Sequence, residues 1–112
     1  MESLGSFEQM VLFSVLRLGD GAYGVAIRDA LEERTGRAVS SGAIYTALNR
    51  LEERGMVSSR VGEPTPGRAG RPRKYYRVER EGARALLDVY SSLQAVAGGV
   101  LPDLIQLAGK KP

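Results

Sequence analysis

SGAIYTALNRLEERGMV, residues 41–57, is the stretch on which the reading of the fold turns. Ile44, Leu48 and Leu51 fall at i, i+4 and i+7 with Ala47 beside them, a single narrow apolar stripe on a helix. Val39 leads into it, Ser40 or Ser41 supplies the cap, and the helix runs to Arg54 before Gly55. So narrow a stripe leaves most of the circumference free. The free side carries Gly42, Tyr45, Thr46, Asn49 and Arg50, and no acid appears until Glu52 and Glu53 in the last turns.

Two helices precede it. The spacing predicts one from Ser6, as N-cap, to the Gly19-Asp20-Gly21 break, with Phe7, Met10, Val11, Val15 and Leu18 at helical intervals. Leu12, Phe13 and Leu16 widen its apolar face beyond what one wet side allows, so this helix is expected to touch two partners. A second helix spans roughly residues 23–34, with Val25, Ile27, Ala30 and Leu31 inward and Arg28, Asp29, Glu32 and Glu33 outward. Thr35-Gly36 closes it, with glycine just past the end.

Downstream, residues 56–61 and 74–78 read as two short strands. In the second, Tyr76 and Val78 share one face while Arg73, Tyr75 and Arg77 share the other, which is expected to meet solvent. GEPTPGRAGRP between the strands is a connection longer than a tight turn. From Arg80 the helical pattern resumes. Leu86, Tyr90, Leu93, Ala97, Val100, Leu104 and Leu107 repeat at alternating spacings of 4 and 3, an interhelical seam. Gly98-Gly99 and Pro102 interrupt this helix in propensity, which predicts a firm helix to Ala97 and a kinked or frayed continuation.

The expected fold is mainly α with a small two-stranded antiparallel wing. Helices two and three, joined by a short connection, form a helix-turn-helix, and the basic hairpin appended to them is the wing. Residues 1–79 make a DNA-binding region and residues 80–112 a C-terminal dimerisation helix, within one compact domain of 112 residues.

Composition narrows the chemistry. The chain has no cysteine and no histidine, which removes disulfides, thiolate chemistry, the usual zinc and iron sites, and the commonest general base. Neither metal nor cofactor is expected. No apolar run approaches the roughly 20 residues of a membrane span, and no export signal is visible, so a cytoplasmic protein is expected. The net charge of +3 is unevenly spread: residues 60–80 carry +5 and the rest of the chain −2. Arg68, Arg71, Arg73, Lys74 and Arg77 follow one another with no acid between them, the footprint of a polyanion site.

On these residues the chain resembles the PadR family of bacterial transcriptional regulators, in its short form with one C-terminal helix. Tyr23-Gly24, the stretch at residues 41–57, and GRPRKYYRV followed by Glu81-Gly82 carry the likeness over about residues 4–97. The resemblance implies a dimeric winged-helix protein of repressor type that binds an inverted-repeat operator, the C-terminal helix supplying most of the dimer contact and the first helix aiding it. The chain departs from the family's usual pattern at Thr46, where proline is common, and at Glu79, where threonine is common. Without tryptophan it does not inherit the aromatic drug-binding slot of some members.

The site residues follow. Ser41, Gly42, Tyr45, Thr46 and Asn49 are expected in the major groove, where Asn pairs with adenine and Gly lets the backbone approach phosphate, and Arg50 on phosphate. Tyr45 has a second reading, half-buried against the sheet. In the wing, Arg68, Arg71, Arg73, Lys74 and Arg77 are expected to reach phosphates or the minor groove. Met10, Phe13, Leu86, Tyr90, Leu93, Ala97, Val100 and Leu104 are expected at the homodimer contact. The apolar surplus on the first and last helices has two readings: plain dimer packing, or a small hydrophobic effector lying between Phe13 or Met10 and the Tyr90 region. An enzyme is excluded by the lack of any nucleophile with an oriented base. A winged-helix module contacting protein or RNA, and a non-specific DNA binder, are the remaining alternatives.

Overall fold

The computed structural model describes residues 4–63 and 71–109. Among them lie helices α1 (Ser6–Leu18), α2 (Gly24–Thr35), α3 (Ser41–Glu53), α4 (Arg80–Ala97) and α5 (Leu101–Ala108), and strands β1 (Val57–Val61) and β2 (Lys74–Val78). A single 3-10 turn, Gly19–Gly21, joins α1 to α2.

Each boundary has a local cause. Ser6 is not the cap of α1. Gly5 takes that place, and the Glu8 carboxylate accepts its N–H at 3.3 Å. The chain enters one residue earlier than predicted because Leu4 is buried in the core and its carbonyl accepts from the Gln9 side chain. Gly36 ends α2 in the left-handed region, and the Glu32 carboxylate accepts the Val39 N–H at 2.8 Å across the connection to α3. Of the two candidate caps for α3, Ser40 does the work: its Oγ accepts the Ala43 N–H at 3.1 Å.

α1, α2 and α3 cross around one core. Val11, Leu12, Val15, Ile27, Ile44, Leu48 and Leu51 are sealed within it, and the stripe predicted on α3 is the stripe buried. Burying each such side chain contributes about 1.5–3 kcal/mol before entropy is charged against it. β1 and β2 pair antiparallel with Val57 opposite Val78 and Val61 opposite Lys74. One isolated bridge extends the sheet: Tyr23 pairs with Tyr75, and the Tyr76 N–H donates to the Ala22 carbonyl at 2.8 Å. The wing is thereby tied to the turn that launches α2.

Glu79 occupies the cap position of α4 without a side-chain hydrogen bond. Packing fixes this helix start instead. The Glu79 N–H donates to the Met56 carbonyl at 2.9 Å, and Gly82 lies so close to that carbonyl that a Cβ would collide with it. Leu86 then anchors the second turn in the core at 3% exposure.

Beyond that turn α4 leaves the body. Its firm end at Ala97 is as predicted, and the continuation is kinked rather than frayed. Gly99, at φ +85°, turns the chain, and α5 begins anew with Pro102 in its first turn, where a missing N–H costs nothing. Nothing on α5 is buried. The arm makes the molecule long, 52 × 32 × 21 Å with a radius of gyration of 16.3 Å, against about 13 Å for a compact chain of this length.

Candidate nucleic-acid interface

The outer surface of α3 is as open as its stripe is closed. Ser41, Gly42, Tyr45, Thr46, Asn49 and Arg50 are all exposed. They are not all equally free. The Ser41 hydroxyl accepts from the Arg28 guanidinium at 3.0 Å, so Arg28, expected merely to face water, is bound to the first residue of α3. Nothing in the linear pattern signals that contact, because it spans two helices. Arg28 Nη2 also meets Asp29 at 3.2 Å.

Tyr45, at 44% exposure, satisfies part of each of its two readings. Its ring and hydroxyl lie against Gly24 so closely that any side chain there would strike them. That contact is with the start of α2. Thr46 and Arg50 border the opposite flank, a shallow groove that they share with Gly5, Ser6 and Glu8 at the start of α1. Asn49 lies between the two flanks.

The wing differs from expectation. Strand parity places Lys74 with Tyr76 on the inner face of the sheet, and there its ammonium meets Glu52 on the flank of α3 at 3.4 Å. Glu52 also accepts the Ser59 hydroxyl at 2.5 Å. That hydrogen bond, then the Lys74 charge, holds the Glu52 carboxyl below its ordinary 4.5 against an opposing push from burial. The base of the wing is thus fastened to α3 through one carboxylate.

Arg77 lies on the other face, where its Nε meets both Glu79 and the Ser58 hydroxyl at 3.3 Å. Both ion pairs are open to solvent and contribute at most about 1 kcal/mol each, so a phosphate can compete for either cation. Arg73 was expected in solvent and is not there. Its guanidinium stacks on the Tyr23 ring at 4.2 Å, half-buried, because the ring of Tyr23 covers the face that alternation assigned to water. Arg60 stacks likewise on Tyr75 at 4.7 Å. Arg71 is exposed, and Arg68 lies outside the described residues. The described wing cations therefore divide between two faces of the sheet.

The residues expected at a dimer contact also divide. Met10, Phe13, Tyr90, Leu93, Val100 and Leu104 are exposed, and Ala97 is half-buried. Leu86 is not available, since it belongs to the chain's own core. It starts the seam in sequence, but its turn of α4 still lies on the body. Leu87 and Leu101, outside the predicted seam, are exposed as well, and Val96 reaches 83% exposure.

Among the described residues no cluster of His, Cys, Asp or Glu could hold a metal ion, and no helix is long and apolar enough to cross a membrane.

The Transcriptional regulator PadR-like family model matches residues 12–88, from the middle of α1 to the third turn of α4. No curated protein sequence matches the chain. Among solved structures, a PadR family transcription regulator from hypervirulent Clostridium difficile superposes with a TM-score of 0.71 at 24% identity, covering 88% of this chain and 99% of that one. A PadR-like transcription factor from Bacteroides fragilis gives 0.71 at 26% identity, covering 84% and 85%. A PadR-like transcriptional regulator from Bacillus cereus gives 0.70 at 23%, covering 88% and 90%. The match takes in the helix-turn-helix, the wing and the helix that follows, and the family is one of regulators, not enzymes. With an open α3 beside a basic hairpin and a family model covering the greater part of its length, this chain belongs to the PadR-like family of DNA-binding transcriptional regulators.

Proposed function

We propose that this protein is a repressor that acts in the cytoplasm as a homodimer on an inverted-repeat operator. The head, residues 1–79, carries the DNA contact, and residues 80–112 carry the partner. In this reading Ser41, Gly42, Tyr45, Thr46 and Asn49 enter the major groove while Arg50, Lys74, Arg71 and Arg68 meet phosphates. The observation that carries the reading is the outer face of α3, fully exposed yet free of carboxylates over its first turns, with Lys74 of the wing beside its flank. A two-fold pairing through the exposed face of Tyr90, Leu93, Val100 and Leu104 would set the two α3 helices about 34 Å apart, one turn of DNA.

Selection of bound sequences from a random duplex pool tests this directly. Enrichment of a site with two-fold symmetry and half-sites one turn apart is expected; asymmetric or unenriched sites would overturn it. If each subunit neutralises about three or four phosphates, log K falls with log salt at a slope of roughly −5 to −7.

One observation favours an added response to a small hydrophobic effector. Met10, Phe13, Leu16 and Leu31 line a shallow groove on the outer side of α1, on the surface that dimerisation would bring towards the arm. A ligand there that differs in affinity between two dimer geometries would shift the spacing of the α3 helices. A compound that raises the melting temperature and alters operator affinity together supports this; one that does the first alone argues against it.

A further inference from the structure

We infer that Arg73 is a positioning residue: stacked on Tyr23, it sets the angle between wing and α3, and it does not neutralise a DNA phosphate. The inference rests on the DNA-binding reading above, but its geometry is independent of it. Three contacts tie the wing to Tyr23, and a fourth, at the next residue, leads on to the recognition helix. The Arg73 guanidinium covers the Tyr23 ring at 4.2 Å, and Tyr23 meets Tyr75 edge to face at 5.6 Å. Tyr23 and Tyr75 also form a backbone bridge, and the next residue, Gly24, receives the ring of Tyr45 on α3.

Arg73 is committed to this stack. Its Nε is sealed from solvent and has no hydrogen-bond partner among the described residues, a condition a guanidinium tolerates because it is weakly hydrated and its planar face is held by the ring. Its backbone carbonyl accepts the Gly62 N–H at 2.7 Å, so the same residue fastens the start of the loop between the strands. Lys74, one residue on, stands in the opposite situation: its ammonium is half exposed and its partner is a carboxylate that phosphate can replace.

The two roles separate in the salt dependence of binding. A lost phosphate contact makes the slope of log K against log salt less negative by about 2 for a dimer, whereas a lost positioning contact lowers K and leaves the slope unchanged. Arg73→Ala is expected to lower operator affinity about tenfold with the wild-type slope, and Lys74→Ala to change the slope. Arg73→Lys keeps the charge but not the planar stack, and is expected to lose most of that affinity as well. Tyr23→Leu should match Arg73→Ala, and combining the two should cost no more than either alone. Without DNA, amide exchange at Gly62 and Tyr76 should quicken in both Arg73 variants.

A slope change in Arg73→Ala equal to that of Lys74→Ala, or full affinity in Arg73→Lys, would overturn the assignment. So would quickened exchange with operator affinity unaltered, since the wing angle would then be irrelevant to binding. A wild-type protein that binds no duplex would instead sink the regulator reading while the exchange result still reported the lock.

Discussion

The head and the arm are built from similar material and end in opposite states. In the head, α1, α2 and α3 cross one another, and Leu12, Ile27, Ile44, Leu48 and Leu51 are sealed from water. In the arm, α4 and α5 carry an apolar pattern at least as regular, yet Leu93 is 65% exposed and Leu107 85%. Periodicity says that a face should be buried and is silent on what buries it. The head supplies its own neighbours, whereas α4 outruns the body after Leu86 and Val89. That open apolar surface is the one the proposed pairing of two copies would cover.

The largest effect should come from the arm. Replacing Leu93 and Leu104 together by Asp puts two charges on the proposed seam, and sedimentation should then show monomers. Operator affinity should fall by about 10²- to 10⁴-fold as the two half-sites lose their linkage. A double variant that remained dimeric would break the contrast between the two regions. Next comes the head itself. Leu48→Ala leaves a cavity where α1, α2 and α3 meet and should cost about 2–5 kcal/mol in denaturant unfolding. A smaller loss would mean that the head packs less tightly than its burial implies.

The joint between the regions is sharper still as a probe. Gly82→Ala drives a Cβ into the Met56 carbonyl and should cost about 1–3 kcal/mol, displacing the start of α4 while leaving α3 in place. Amide protection that fell in α4 and held in α3 would locate the damage at the joint. The smallest effect concerns pH. Burial raises the Tyr76 phenol above its ordinary 10.0, so the folded chain holds that proton more tightly than the unfolded one. Stability from this source is complete below about pH 10 and declines as pH rises through the folded-state value. Tyr76→Phe should flatten that decline in an alkaline unfolding series; an unchanged alkaline limb would assign it to another group.

Much of the fold was legible from residues that act on near neighbours. Ile44, Leu48 and Leu51 mark the stripe of α3, the Ser40-Ser41 pair its start, and Gly98-Gly99 the end of α4, each through interactions within a turn or two. The site was legible as a set of exposed residues on α3, because a helix buried on one narrow stripe must expose the rest. It was not legible in the wing. Alternation sorted Arg73 and Arg77 onto the face expected in solvent, but only the packed structure shows that Tyr23 covers Arg73 and that Lys74 turns inward to Glu52. The Arg28 contact with Ser41 was equally invisible, joining residues 13 apart on different helices.

By itself the sequence determined the helices, the hairpin, their order and the charge they carry, since backbone dihedrals, caps and periodic burial are settled over a few residues. The tertiary structure alone decided which partner each wing cation meets and that Leu86 belongs to the head while Leu93 does not. Those outcomes depend on which atoms arrive from elsewhere in the chain to cover a surface, and linear spacing carries no record of that.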